Sequence, residues 1–299
     1  MPEGSSRPFA PAHPLADHAL HARLARWNRA RLAMQTPPAD WRGALDDDYR
    51  MAIEERQFAE ALRAQVAPRA ALAPREPAAF VAWFEALKLD GPGQGDALFP
   101  WLATQASWDE MRWFIEQEVA GEAGFEDLVA LAQIKAPTPA KLELARNYWD
   151  EMGRGNLKGM HGPMLERLAR ALDVKPEIET TLAPSLALGN TMVALGATRA
   201  YAYHALGALG VIELTAPTRA VHVAAGLKRL GVTVRDRHYF ELHAVLDLKH
   251  SEAWNREVLA TLVAERPDCA RYIAEGALMR LACGEACFEA YRAQLWRKD

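Results

Sequence analysis

Apolar residues in this chain recur at intervals of three and four almost throughout, and hardly anywhere at two. That period is the helical one, since a half-buried strand needs strict alternation. Ala, Leu, Arg and Glu, all good helix formers, dominate the composition. The pattern therefore predicts an all-α bundle with a helical arm at its N-terminus. With 299 residues, half of them hydrophobic, there is chain enough for a large core.

After a Pro-rich start, "LADHALHARLARWNRARLAMQ" and "DDDYRMAIEERQFAEALRAQ" read as two amphipathic helices, and "EPAAFVAWFEALKL" as a third stopped by Gly91-Pro92-Gly93. From Ser107 the segments grow longer and more apolar. "SWDEMRWFIEQEVAGEAGFEDLVALAQ" comes first, with glycines at 121 and 124 that end or bend it. "TPAKLELARNYWDEM" follows, with Thr138 as N-cap and Pro139 at the first helical position. Then come "MHGPMLERLARAL", the long "SLALGNTMVALGATRAYAYHALGALGVIELTAPTRAVHVAAGLKRLG", "VRDRHYFELHAVLDLKHSEAWNREVLATLVAE" and "CARYIAEGALMRLACGEACFEAYRAQLW".

Several function classes fall away. A net charge of -4 and a pI near 6.2 give no footprint for nucleic acid, and no basic run suggests a membrane surface. Neither an apolar signal core nor a run of about twenty apolar residues is present, so a reducing cytoplasm is expected. Cys269, Cys283 and Cys287 are too few for a disulfide framework; the pair four apart reads as small buried helix residues rather than a zinc site.

Chemistry concentrates elsewhere. In "HAVLDLKH", His243, Asp247 and His250 fall at offsets of four and seven, within a helical stripe about 60° wide. Imidazole and carboxylate suit iron, manganese or zinc, and a rise of about 10 Å from first to last fits more than one ion. Glu213 sits among Val211, Ile212 and Leu214 in the most apolar stretch, where a carboxylate is costly unless paired or coordinated. Glu118 and Glu122 share a face with Phe125 and Val129, and the residues alone do not choose between them; Glu116 and Glu126 point elsewhere, into solvent. In "NYWDEMGRGNLKGMH" a helix ends on Glu151, breaks at Gly153-Arg154-Gly155 and resumes at His161. On an unbroken helix those two would stand about 15 Å apart along the axis, too far for one ion, so the break is needed if both serve one site. Four helices thus supply glutamates, histidines and an aspartate, an inventory closer to carboxylate-bridged di-iron chemistry than to zinc.

In this order (Glu, then Glu with His ten residues on, then Glu, then His-x3-Asp-x2-His) the set resembles the haem-oxygenase-like di-iron oxidases, bacterial proteins often described only as iron-containing redox enzymes. "LFPWLATQASWDEMRWFIEQE", "ELARNYWDEMGRG" and "HAVLDLKH" carry the resemblance, which covers roughly 98–282. It implies a haem-oxygenase-like helical bundle over 96–299, without haem; residues 1–95, an N-terminal helical extension, fall outside it and are left to packing or homodimerisation. It implies two iron ions on Glu118, Glu151, His161, Glu213, His243, Asp247 and His250, with Glu122 in reserve for Glu118. It further implies dioxygen as co-substrate, a small organic substrate and, where needed, an external electron donor. Among its activities, N-oxygenation of an amine or guanidine is preferred over oxidative C–C cleavage of an amino or fatty acid. A metal-independent cyclising oxidase and a non-catalytic iron-binding protein stay open as rivals. Trp149 and Tyr148 are expected in the core, His222 and His238 are ordinary histidines with His238 turned away, and Arg199, Tyr201, Tyr203 and His204 are left between pocket, surface and core.

Overall fold

The computed structural model describes residues 14–122 and 124–297; the Pro-rich start lies outside them. The described residues form no strand, only one antiparallel bridge between Met152 and Met160. In chain order the helices are α1 (His18–Leu32), α2 (Trp41–Ala70), α3 (Pro77–Asp90), α4 (Leu98–Thr104), α5 (Trp108–Gly121), α6 (Phe125–Ala132) and α7 (Thr138–Glu151). They continue as α8 (His161–Ala171), α9 (Ala183–Ala197), α10 (Ala202–Arg229), α11 (Val234–Ala253), α12 (Ala260–Glu265) and α13 (Cys269–Leu295). The protein is all-α, as the apolar period requires.

Local chemistry explains most boundaries. α5 opens with a capping box: the Glu110 backbone N–H donates to Ser107 Oγ, and the Ser107 N–H donates to the Glu110 carboxylate. α3 stops at Gly91. α7 begins at Thr138 with Pro137 as its cap residue, one position from expectation and without a side-chain cap bond. The long apolar segment 185–231 is not one helix; α9 ends at Ala197, and a 3-10 turn over Arg199–Tyr201 redirects the chain into α10. An Ala- and Leu-rich sequence carries its periodicity straight across such a turn, so the break is invisible to pattern. Pro217 lies inside α10, where it lacks the N–H that would bond the Glu213 carbonyl. Between α11 and α12, six residues from Trp254 to Leu259 wind as π-helix, and the buried Trp254 indole donates to the Leu206 carbonyl at 3.2 Å.

α10 and α13 cross at the centre. Their contact is made at two glycines: a Cβ on Gly207 would stand 1.9 Å from the Ile273 carbonyl oxygen, and one on Gly276 would stand 1.9 Å from that of His204. The arm helices contribute Leu24, Phe58, Leu62 and Phe80 to the same apolar cluster as Trp254 and Ile273. Polar ties accompany this packing. Buried Glu275 of α13 accepts from Arg63 Nε at 2.9 Å, Arg271 Nε at 2.9 Å and His204 Nε2 at 3.0 Å. Buried Asn190 of α9 donates to the His21 carbonyl at 2.9 Å. The three cysteines are buried and free. No helix is long and apolar enough to cross a membrane among the described residues.

Candidate metal centre

The helix break after α7 does what the spacing demands. Gly153, Arg154 and Gly155 all take left-handed backbone, with φ of 60°, 53° and 81°, and the chain doubles back so tightly that a Cβ on Gly153 would lie 2.3 Å from the Gly159 carbonyl carbon. Only glycine tolerates both the torsion and the approach. The returning chain meets the outgoing one at the Met152–Met160 bridge, and α8 starts on His161. Its Nδ1 thereby comes to 2.6 Å from Glu151 Oε2.

Around Glu151 two groups of ligand atoms converge: Glu151, His161 and His243 form one, and Glu151, Glu213 and His250 the other, with the atoms of each within 4.8 Å of one another. The His161 and His243 rings meet edge to face at 4.6 Å. Each of two histidines is oriented from behind. His243 Nδ1–H donates to the Tyr239 carbonyl at 2.7 Å, leaving Nε2 free as acceptor. His250 Nε2–H donates to Asp150 at 3.1 Å, and Asp150 in turn accepts from Arg154 Nε at 2.6 Å. That leaves His250 Nδ1 facing Glu213 Oε2 at 3.4 Å. Asn147 donates to the other Glu213 oxygen at 2.6 Å. Such outer partners fix the tautomer and aim the free nitrogen, the arrangement found behind metal-ligating histidines.

Asp247 is buried beside these groups. Its Oδ1, His161 Nδ1 and His250 Nδ1 are buried and make no hydrogen bond of good geometry among the described residues; the two nitrogens face the carboxylates of Glu151 and Glu213. Buried polar atoms without a good hydrogen bond are costly. His161 and His250 lie in the two groups that share Glu151, and a divalent cation of the nitrogen- and oxygen-loving class in each would satisfy their inward nitrogens. The donor set fits iron.

The titration behaviour follows from that crowding. Burial, then the neighbouring Glu213, pushes the Glu151 carboxyl well above the usual range. Burial, then Glu213 and Glu151, does the same to Asp247. Burial, then the His250 charge, lowers His161 to about 4; burial, then His161, lowers His243 to about 4. For His250, burial opposes the charged form but Glu213 overrides it and raises the ring to about 9. The metal-free protein is therefore expected to lose stability as pH rises from 6.5 to 9. His250 keeps its proton there in the folded chain and sheds it in the unfolded one, and any raised carboxyl still titrating adds the same sign. Thermal melts across that window check this. With iron bound the fall should vanish, because coordination requires the neutral ring.

A cavity of about 210 Å³ opens beside the cluster, lined by Glu151, His161, Glu213, His243 and Asp247 and by Glu118, Glu122 and Glu126. The region between α5 and α6 departs from expectation. α5 ends at Gly121, Gly124 turns left-handed at φ 73°, and a new helix starts at Phe125, so positions 118 and 126 no longer follow one helical phase. Glu126, expected in solvent, lies on the cavity wall, its Oε1 about 3.0 Å from where a Cβ on Gly162 would stand, next to His161. Glu118 instead accepts from the Tyr291 hydroxyl at 3.1 Å. Trp149 is also displaced from expectation: it is 53% exposed and lies across Gly155, because the left-handed turn folds back beneath it. Tyr148 packs at the edge of the core. Tyr201 and His204 are buried but tied to Glu60 and Glu275, away from the cavity. His238 is exposed on the far face of α11. Asp150 and Asn147 were not legible as site residues; Asn147, one turn before Glu151 on α7, was the available signal.

Residues 112–285 match the family model described as iron-containing redox enzyme, and the chain belongs to that family. Among solved structures it is similar to a CADD-like protein of unknown function from Nostoc punctiforme PCC 73102. Two structures of that protein align at 20% and 19% identity with TM-scores of 0.54 and 0.52, each covering 72% of this chain and 96% and 94% of the other. That likeness is one of fold. No curated protein matches.

Proposed function

We propose that this iron-containing redox enzyme is a non-haem di-iron oxidase that uses dioxygen to oxidise a small organic molecule. The observation that carries the reading is Glu151, shared between two groups of buried ligand atoms, the position a carboxylate bridging two ions would take. His161 and His243 would serve one ion, Glu213 and His250 the other, with Asp247 beside them. For the remaining carboxylate we favour Glu126 over Glu118 and Glu122. It borders His161, whereas Glu118 is engaged by Tyr291 and Glu122 by the Gly124 N–H.

Bound there, two ferrous ions would supply electrons and open positions for dioxygen. The chain's own part is to hold geometry. Asp150 and the Tyr239 carbonyl keep protons on the outward nitrogens of His250 and His243, so the inward ones stay free to ligate. Phe114, Leu188 and Phe240 give the cavity apolar faces beside these polar groups, limiting the water that would surround a bound substrate. The preferred reaction is N-oxygenation, in which an N–H becomes N–OH with one oxygen atom of dioxygen. The other atom leaves as water, with two electrons from an external donor and two protons.

The test is anaerobic Fe(II) loading with iron counted per chain, then oxygen uptake in the presence of amines, amino acids and fatty acids. Close to two irons and uptake accelerated by an amine support the proposal. Trace iron, or one tightly held zinc, overturns it. Two irons without accelerated uptake would mark a binding protein instead.

A further inference from the structure

α2 outruns the body it packs on. Every buried side chain of this helix lies at Glu55 or beyond, so its first half, Trp41 to Glu54, projects about 20 Å past the core. It is anchored along one side. Asp48 accepts from the Trp27 indole at 2.8 Å, Met51 packs at the edge of the core, and Glu55 accepts from Arg31.

Next to that anchored side runs an apolar stripe. Trp41, Leu45, Tyr49 and Ile53 recur every four residues and are 55%, 60%, 67% and 40% exposed. A helix of a monomer ordinarily turns such a stripe inward, and a contiguous apolar patch left outside marks a contact surface. A second row follows at the same spacing: Arg42, Asp46, Arg50 and Glu54. At about 100° per residue it borders the stripe on the side away from Asp48, Met51 and Glu55.

The signs in that row alternate, and their order identifies what covers the stripe. Read backwards, the row presents acid wherever it presented base. A second copy of the helix, laid antiparallel about a two-fold axis near Asp47 and Asp48, therefore sets Arg42 opposite Glu54 and Asp46 opposite Arg50, each twice. The same axis lays Trp41 against Ile53 and Leu45 against Tyr49. A parallel pair in register would place like charges face to face. Within one chain Arg50 turns to Asp47 at 3.1 Å and Glu54 to Arg23 at 2.8 Å, while Arg42 lies over the Trp41 ring at 4.4 Å. These contacts are at the surface, where ion pairs are weak and readily exchanged. Side chains of this size bring roughly 100 Å² each, so the stripes of two copies, with Leu32 and Met34 exposed at the adjoining turn, approach the area of about 1,200 Å² that a stable interface needs.

We propose that the projecting half of α2 is a homodimer interface, on which two copies of this chain pair antiparallel through the Trp41–Ile53 stripe and the alternating row beside it.

The experiment is sedimentation equilibrium of the full chain over roughly 0.1–100 μM, with circular dichroism confirming the fold of each variant. The unmodified protein is expected to dimerise with a Kd on the order of 1 μM or below. Leu45→Asp buries a charge in both halves of the contact and should weaken the dimer on the order of 100-fold. Asp46→Arg sets like charges together at both symmetric positions and should weaken it on the order of 10-fold. Adding Arg50→Asp to Asp46→Arg restores opposite signs across the axis and should recover most of that loss. Val245→Asp, on the exposed face of α11, should leave the Kd unchanged. A monomer at every concentration overturns the proposal, and so does a dimer that Leu45→Asp leaves intact. A double charge exchange no tighter than Asp46→Arg alone overturns the antiparallel pairing, since no other register of the two rows predicts the rescue.

Discussion

Under the proposed di-iron function, Glu151→Gln is expected to bring the iron content of the loaded protein from two ions per chain to near none, and to abolish oxygen uptake. No other residue belongs to both groups of converging ligand atoms, so losing its charge weakens both ion positions at once, whereas His161→Ala or His250→Ala removes a ligand from one. The same change should stabilise the metal-free protein. Glu151, Glu213 and Asp247 are buried together, and burial with mutual repulsion pushes the Glu151 carboxyl well up; an uncharged amide of the same shape relieves that conflict. A gain of about 1–2 kcal/mol, or roughly 2–4 °C in Tm, is reasonable for a chain of this size. Iron analysis and metal-free melting therefore move in opposite directions, which no misfolded variant reproduces. Retention of two irons would refute the bridging role.

Gly276→Ala carries the largest stability effect. Its new Cβ would meet the His204 carbonyl oxygen at 1.9 Å, and a backbone atom of a packed helix cannot rotate aside. α10 and α13 would have to separate by more than an ångström, loosening the core that both ligand-bearing and arm helices share. A loss of about 4 kcal/mol or more is expected, seen as a collapse of soluble yield or of the urea midpoint. Gly231→Ala is the control. That glycine has φ of 85° and no neighbour within 4 Å of a Cβ, so it should lose only about 1 kcal/mol, from backbone strain.

The two glycines are instructive about what the sequence reveals. Helix content was legible because period three-and-four is written in every segment, and Glu213 and the HAVLDLKH stripe stood out because charged side chains in apolar surroundings need a reason. Gly207 and Gly276 gave no such contrast, since their role exists only where two helices 69 residues apart touch. The Glu118, Glu122 and Glu126 series defeated helical-wheel reasoning for a related cause: Gly124 resets the phase, and a wheel drawn across it assigns faces that do not exist. Trp149 misled in the opposite direction, being large and aromatic beside a ligand yet left outside by the turn beneath it. Asp150 stands next to Glu151 in the sequence, but its partner His250 lies 100 residues away, and no local spacing encodes that.

Pro217 fixes how the two halves of α10 that line the cavity sit on one another. It lies inside α10, four residues after Glu213 and two before Arg219, and a proline there kinks the helix while freeing the Glu213 carbonyl. Glu213 on one side of it, and Ala220 and Val223 on the other, therefore hang on one continuous backbone with one defined bend. Side-chain changes along the wall can widen or narrow the passage, but they cannot alter its length. Remodelling that lining would therefore change what the cavity holds without moving Glu213 along its own wall.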